Sequence, residues 1–216
     1  MNFEQARCDV LAACLELAKR GYLPGTGGNV ALRCDADHFA VTPSGRDYSR
    51  MQAEEICVLR LSDLQQVEGE LRPSIEHRFH AYVLRERWEC NASVHTHQPI
   101  ASAYSLLGRA LEITEPALRQ ILGSTAAPVA YAPSGTNWLA ANVRKALRPN
   151  VHAYLLRNHG ALCCAATLDE AVTRTAALEA ACAEYFTRTA HGQGAQRIDP
   201  FTDEVLALLE IKESVL

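Results

Sequence analysis

The chain has no block of basic residues, no C-x-x-C pair, no long apolar run and no repeat or low-complexity tract. Each absence closes off a class of function. Lys and Arg are scattered and the formal net charge is -4, so a nucleic-acid partner is not expected. Met1 to Arg20 interrupts its apolar positions with Glu4, Arg7, Asp9, Glu16 and Lys19, which is neither a secretory signal nor a membrane span of about 20 apolar residues. A soluble, cytoplasmic protein without a membrane partner is expected. The eight cysteines mostly sit in apolar stretches, and the adjacent Cys163 and Cys164 would point to opposite faces of a strand. They read as reduced, buried thiols rather than a zinc ribbon. What the chain does have is length and apolar content: 216 residues, 48% of them hydrophobic, suit a single domain over 1–216 with a substantial core.

Ala6, Val10, Cys14, Leu17 and Ala18 share one face of a helix predicted over Phe3 to Arg20, with Gly21 as its stop. Gly25-Thr26-Gly27-Gly28-Asn29 leads into a predicted hairpin, Val30 to Arg33 and His38 to Thr42, that ends at Pro43-Ser44-Gly45. A strand over Ile56 to Leu61 precedes a helix from about Ile75 to Arg87, with Ser74 as its N-cap. Strands are expected at Asn91 to His95, Pro128 to Ala132, Ala153 to Arg157 and Ala161 to Ala165. Helices are expected at Pro99 to Leu106, Thr136 to Leu147 and Leu168 to Thr189, then, after a break at His191 to Gln196, at Thr202 to Lys212. Strands alternating with helices indicate an α/β fold with helices on both faces of a sheet, and the short turns indicate mixed or antiparallel pairing.

The sharpest chemical signal is His95-Thr96-His97. Residues i and i+2 of a strand face the same way, so two imidazoles can converge on one ion, although such a pair also occurs on half-buried strands. His159 closes another predicted strand and is followed by Gly160, which leaves room beside it; by itself it reads more readily as an ordinary loop histidine. Glu76 lies in a helix's first turn, where a carboxylate commonly just complements the dipole.

Together, Gly25-Thr26-Gly27-Gly28-Asn29, Thr42-Pro43-Ser44-Gly45, Pro73-Ser74-Ile75-Glu76, His95-Thr96-His97 and Asn158-His159-Gly160 resemble, in content and order, the class II aldolase/adducin family over about Ala6 to Tyr185. The resemblance implies a three-layer α/β/α sandwich around a largely antiparallel sheet, and a homotetramer with active sites at subunit interfaces. It implies zinc held by His95, His97, His159 and Glu76, with Mn2+, Co2+ or Fe2+ compatible with such a ligand set, and Glu76 as the catalytic acid/base. The family's phosphate cradle falls on Gly28, Asn29, Ser44, Gly45 and Ser74. The implied reaction is retro-aldol cleavage of a short ketose phosphate to dihydroxyacetone phosphate and an aldehyde, and Glu rather than Asp at position 76 favours it over epimerisation. The alternatives are a decarboxylase, dehydratase or 4-epimerase working on a related sugar or sugar-acid phosphate through the same enediolate, and a non-catalytic adducin-like interaction module. Two departures stand out. Ile75 replaces a serine common in the sugar-phosphate aldolases, and the tyrosines that assist proton transfer in such enzymes have no counterpart at Thr114-Glu115-Pro116 or after Tyr185. Glu115, Arg119 and Tyr131 are the groups available instead.

Overall fold

Apolar residues recurring at two- and fourfold spacing build the two kinds of element in a computed structural model that describes residues 2–192. Helices are α1 (Phe3–Lys19), α2 (His77–Glu86), α3 (Pro99–Ser105), α4 (Pro116–Leu122), α5 (Asn137–Ala146) and α6 (Leu168–Gly192). Strands are β1 (Asn29–Arg33), β2 (His38–Val41), β3 (Cys57–Arg60), β4 (Gln66–Glu68), β5 (Ala92–Thr96), β6 (Leu111–Glu112), β7 (Thr125–Val129), β8 (Ala153–Leu156) and β9 (Gly160–Ala165). The strands form one nine-stranded sheet in the order β4-β3-β2-β1-β5-β9-β8-β7-β6.

Alternation along the central strands sends side chains to two cores. Val30, Leu32, Ala92 and Val94 pack with Val10, Cys14 and Leu17 of α1 and with Ala171 of α6. Ala153, Leu155, Ala161 and Cys163 continue that face beneath α3, α4 and the rest of α6. The intervening residues Tyr154, Leu156, Leu162 and Cys164 meet Phe79 and Val83 of α2 and Leu139 and Val143 of α5 on the other face. His95 belongs with this second set, since Val94 and Ala92 point the opposite way. Each fully buried Leu or Phe contributes about 1.5–3 kcal/mol, so the sheet's centre, where His95 sits, is held firmly on both sides.

The expectation of a largely antiparallel sheet is corrected: the sheet is mixed, because β7 pairs with β8 in parallel. The reason is the crossover. Helix α5 lies between these two strands, and a strand-helix-strand unit returns its second strand parallel to the first. Strand β7 also begins earlier than expected, with Pro128 inside it; β6 reaches only Ala126 and Thr125, so the strand is an edge at Pro128 and no ladder donor is missed there. Helix α4 was not expected. Pro116 stands at its first position and the Glu115 carboxylate accepts the Leu118 N–H at 2.7 Å, an N-terminal signature that Glu-Pro spells out. That cap also commits Glu115, one of the residues available for proton transfer, to helix α4. The break over His191 to Gln196 is corrected in its first residues, since α6 runs through Gly192; the helix over Thr202 to Lys212 lies outside the described residues. Among the described residues no helix is long and apolar enough to cross a membrane.

Candidate functional site

Strand β5 ends between β1 and β9, and at that end it carries His95 and, just beyond its last residue, His97. His159 comes from the neighbouring hairpin: β8 and β9 are joined by only Arg157, Asn158 and His159, with Leu156 opposite Gly160. Asn158 takes φ +55, a left-handed conformation that Asn tolerates better than most residues, and this turns His159 back toward β5. Glu76, rather than the expected Ser74, occupies the N-cap position of α2, with no capping bond from its side chain, and is 5% exposed. Two glycines make room. A Cβ on Gly27 would lie 2.7 Å from His97 Nδ1, and one on Gly160 would lie 2.4 Å from the Thr96 carbonyl and 2.8 Å from His97 Cδ2.

The three expected histidines meet, their ligand nitrogens within 4.8 Å of one another, and Glu76 stands against two of them. His95 Nε2 is 3.0 Å from His97 Nε2 and 3.4 Å from Glu76 Oε2, and His159 Nε2 is 3.4 Å from Glu76 Oε1. Ligand atoms about 2.0–2.1 Å from a tetrahedral cation stand about 3.3–3.4 Å apart, so these spacings fit a single ion. His95 Nδ1 donates to the Ala161 carbonyl at 2.8 Å, which leaves the Nε2 lone pair free to face the other ligands. Burial pushes the pKa of all three histidines down, that of His95 to about 3. Burial would raise the Glu76 carboxyl, but His95, His159 and the hydrogen bonds from Asn29 and Ser134 outweigh it and hold it well below the usual range. Neutral imidazoles and an ionised carboxylate are the states a dication needs.

Behind Glu76 runs a hydrogen-bond chain that sequence reasoning missed. Asn29 Nδ2 donates to Glu76 Oε2 at 2.8 Å, so its Oδ1 can only accept, and it does so from His80 Nε2 at 2.5 Å. Neutral His80 must then accept at Nδ1 from the Ser93 hydroxyl, 2.7 Å away. Ser134 Oγ donates to the other carboxylate oxygen at 2.8 Å. His80 was findable: it lies four residues after Glu76, one helical turn on. Ser134 had a weaker signal, in that Pro133-Ser134-Gly135 repeats the Pro43-Ser44-Gly45 pattern. The Asn29 side chain, expected in the phosphate cradle, is thus engaged in orienting Glu76.

The rest of the expected cradle is brought alongside. Pro43 bridges Pro73, the Ser44 N–H donates to the Arg72 carbonyl and the Ser74 N–H to the Thr42 carbonyl, so the loops carrying Ser44-Gly45 and Ser74 run side by side. Gly28 takes φ +80 and its would-be Cβ lies 2.7 Å from the His95 carbonyl, so this position is closed to other residues. Ile75 is 57% exposed and covers Gly135. A separate cavity of about 740 Å³ lies between α1 and the start of α6, on the other face of the sheet, and shares none of these residues.

Two predictions arise here. Gly160→Ala forces the Thr96 carbonyl and the His97 ring apart; it is expected to cost about 1–3 kcal/mol of stability and to weaken metal affinity at least about tenfold, measured by denaturant unfolding and metal titration. Burial holds the His80 pKa down from 6.5 to about 3. Its neutral form therefore contributes stability that is fully present above about pH 6.5 and is lost as the pH falls toward 3. His80→Gln is expected to flatten the stability-against-pH curve between about pH 4 and 6 by up to about 1.4 kcal/mol per pH unit; an unchanged slope would contradict the buried neutral state.

Residues 8–186 match the model of the Class II Aldolase and Adducin N-terminal domain. The chain is 33% identical over 185 residues to L-fuculose phosphate aldolase of Escherichia coli (strain K12), covering 84% of this chain and 82% of that one. It is 31% identical over 193 residues to 5-deoxy-D-ribulose 1-phosphate aldolase of Bacillus thuringiensis serovar kurstaki, covering 88% and 87%. A solved L-fuculose 1-phosphate aldolase superposes with a TM-score of 0.82 at 26% identity, over 95% of this chain and 96% of that one. With its motifs in order, its three histidines converged beside Glu76 and its fold shared with the solved aldolase, the chain belongs to the class II aldolase and adducin family.

Proposed function

We propose that the protein is a zinc-dependent aldehyde-lyase that cleaves a short ketose phosphate, of the L-fuculose 1-phosphate kind, to dihydroxyacetone phosphate and an aldehyde. The observation that carries this reading is the convergence of three neutral imidazoles within 4.8 Å, with the Glu76 carboxylate 3.4 Å from His95 and from His159. His95, His97, His159 and Glu76 would hold a dication, which would supply Lewis-acid stabilisation of the negative charge that develops on the substrate as its C3–C4 bond breaks. Glu76 is the proton carrier at C3. Its carboxylate is fixed from behind by Asn29 and Ser134, so its orientation is set before substrate arrives. The Ser44 hydroxyl, the backbone at Gly28 and Gly45, and the Ser74 hydroxyl, which already accepts the Glu76 N–H at 3.2 Å, receive the phosphate. Ile75 adds an apolar wall at Gly135 in place of a donor.

The same reading takes 1–216 as one domain, the two helix groups and the sheet between them as an α/β/α sandwich, and the assembly as a cytoplasmic homotetramer. The relatives named above act on different sugar phosphates, so the bond broken is the point to test. Metal-loaded protein is incubated with ketose 1-phosphates and, separately, with 3-oxo acid phosphates. Dihydroxyacetone phosphate from the first is expected. Carbon dioxide from the second, or epimerised substrate without cleavage, would assign a sister reaction that keeps the same enediolate, and protein that, purified without chelators, holds no stoichiometric metal and stays inert toward both after metal is added would assign an interaction module.

A further inference from the structure

A second cluster of metal-ligating side chains lies away from the histidine and Glu76 site. Cys90 follows α2, His152 precedes β8 and Cys164 sits within β9. Their ligand atoms all lie within 4.8 Å of one another. The Cys164 N–H donates to the His152 carbonyl at 2.9 Å, which registers these two, and Cys90 and Cys164 are both buried in the core formed by α2, α5 and the second face of the sheet. Alternation in β9 sends Cys163 to the opposite core, so Cys164 alone of that adjacent pair takes part. His152 is half-buried and connects the thiols to the surface.

We propose that Cys90, Cys164 and His152 form a second metal site, a soft-ligand site for a zinc-class dication, separate from the centre held by His95, His97 and His159.

The surroundings suit that ion. Cys90 and Cys164 hydrogen-bond each other, so their sulfurs already face one another. On binding, the dication takes both sulfurs as thiolates and an imidazole nitrogen; the thiol protons leave to solvent, and the two thiolates balance the ion's charge. The Arg87 charge is paired: its Nε meets Glu89 at 2.6 Å, and its Nη1 donates to the Val151 carbonyl at 2.6 Å and the Tyr154 hydroxyl at 2.8 Å. Its Nη2 lies 3.5 Å from His152 Nδ1, which holds that imidazole beside the two sulfurs. Two thiolates and one imidazole leave a fourth tetrahedral position for solvent, and a cavity of about 400 Å³ lined by Arg87, Glu89, Leu147 and Arg148 opens beside Arg87. Helix α2 follows directly on Glu76 and leads to Arg87 and Cys90, so an ion here fastens the far end of that helix to β8 and β9, the strands whose hairpin carries His159. Its role is that of a fastener in the frame of the histidine site.

The test is a Cd2+ titration of the reduced full-length protein, followed by ultraviolet thiolate-to-cadmium charge transfer, a signal that imidazole and carboxylate ligands do not produce. A Cys8→Ser background removes the exposed thiol. In His159→Ala, where the histidine site no longer competes for cadmium, the band is expected to saturate at one equivalent; with the histidine site intact it is expected to reach the same intensity by two equivalents, and to fall by half or more in Cys90→Ser and in Cys164→Ser. His152→Ala is expected to raise the cadmium dissociation constant at least about tenfold. No band at two equivalents of cadmium, or a full band in either serine variant, would overturn the site. Should the serine variants fail to fold, His152→Ala decides: unchanged affinity overturns the proposal and weakened affinity supports it.

Discussion

His159→Ala is expected to abolish cleavage and to empty the histidine site together. The imidazole is one of three neutral nitrogen donors, and its removal leaves His95, His97 and Glu76, too few to exclude competing water from the ion. Lewis-acid stabilisation is worth several kcal/mol, and each 1.36 kcal/mol is a factor of ten, so the loss of turnover is expected to be about 10³-fold or more. Stability should change little, because His159 lies in a hairpin turn and contributes to no core cluster. Activity assays, metal analysis and denaturant unfolding on one preparation check this. A His159→Ala protein that keeps its metal and loses activity would shift the role of His159 from ligand to substrate contact.

Glu76→Gln separates the ion from the proton. Glutamine keeps the size of the side chain and leaves three imidazoles in place, so metal is expected to be retained with weaker affinity. The proton carrier is gone, and general acid/base catalysis contributes about 10²–10⁴-fold. The expected result is a kcat lower by that factor with metal present, unlike His159→Ala, where both disappear. The amide also presents N–H groups toward Asn29 Nδ2 and the Ser134 hydroxyl, which donate to the carboxylate, so one of these donors has to turn away. Glu76→Gln with full turnover would refute the proton-transfer role.

Much of this site was legible in the residues because its logic is local. His95 and His97 follow from strand alternation, Glu76 from its place at the start of a helix, and His159 from a three-residue turn followed by a glycine. His80 was legible in principle, a helical turn from Glu76, but a buried histidine inside an amphipathic helix looks like core. Ser134, Ser93 and the engagement of Asn29 are long-range: they join segments 47 to 58 residues apart in the case of Asn29–Glu76 and Ser134–Glu76, and no local pattern encodes them. The mixed sheet follows from a strand, helix and strand at β7, α5 and β8, a sequence of elements that demands a parallel return once it outweighs the short turns elsewhere. The cluster of Cys90, His152 and Cys164 escaped for the same reason as Ser134. Its members have none of the close spacing by which thiol sites are read, and only the pairing of β8 with β9 and of β5 with β9 brings them together.

The most direct test of the central claim is the activity of chelator-treated protein whose metal content has been measured as zero. Dihydroxyacetone phosphate formation from ketose phosphate is expected to be undetectable, and to return on addition of Zn2+ to wild-type protein but not to His159→Ala. Undiminished cleavage by the metal-free protein would contradict the assignment of His95, His97, His159 and Glu76 as a catalytic metal site.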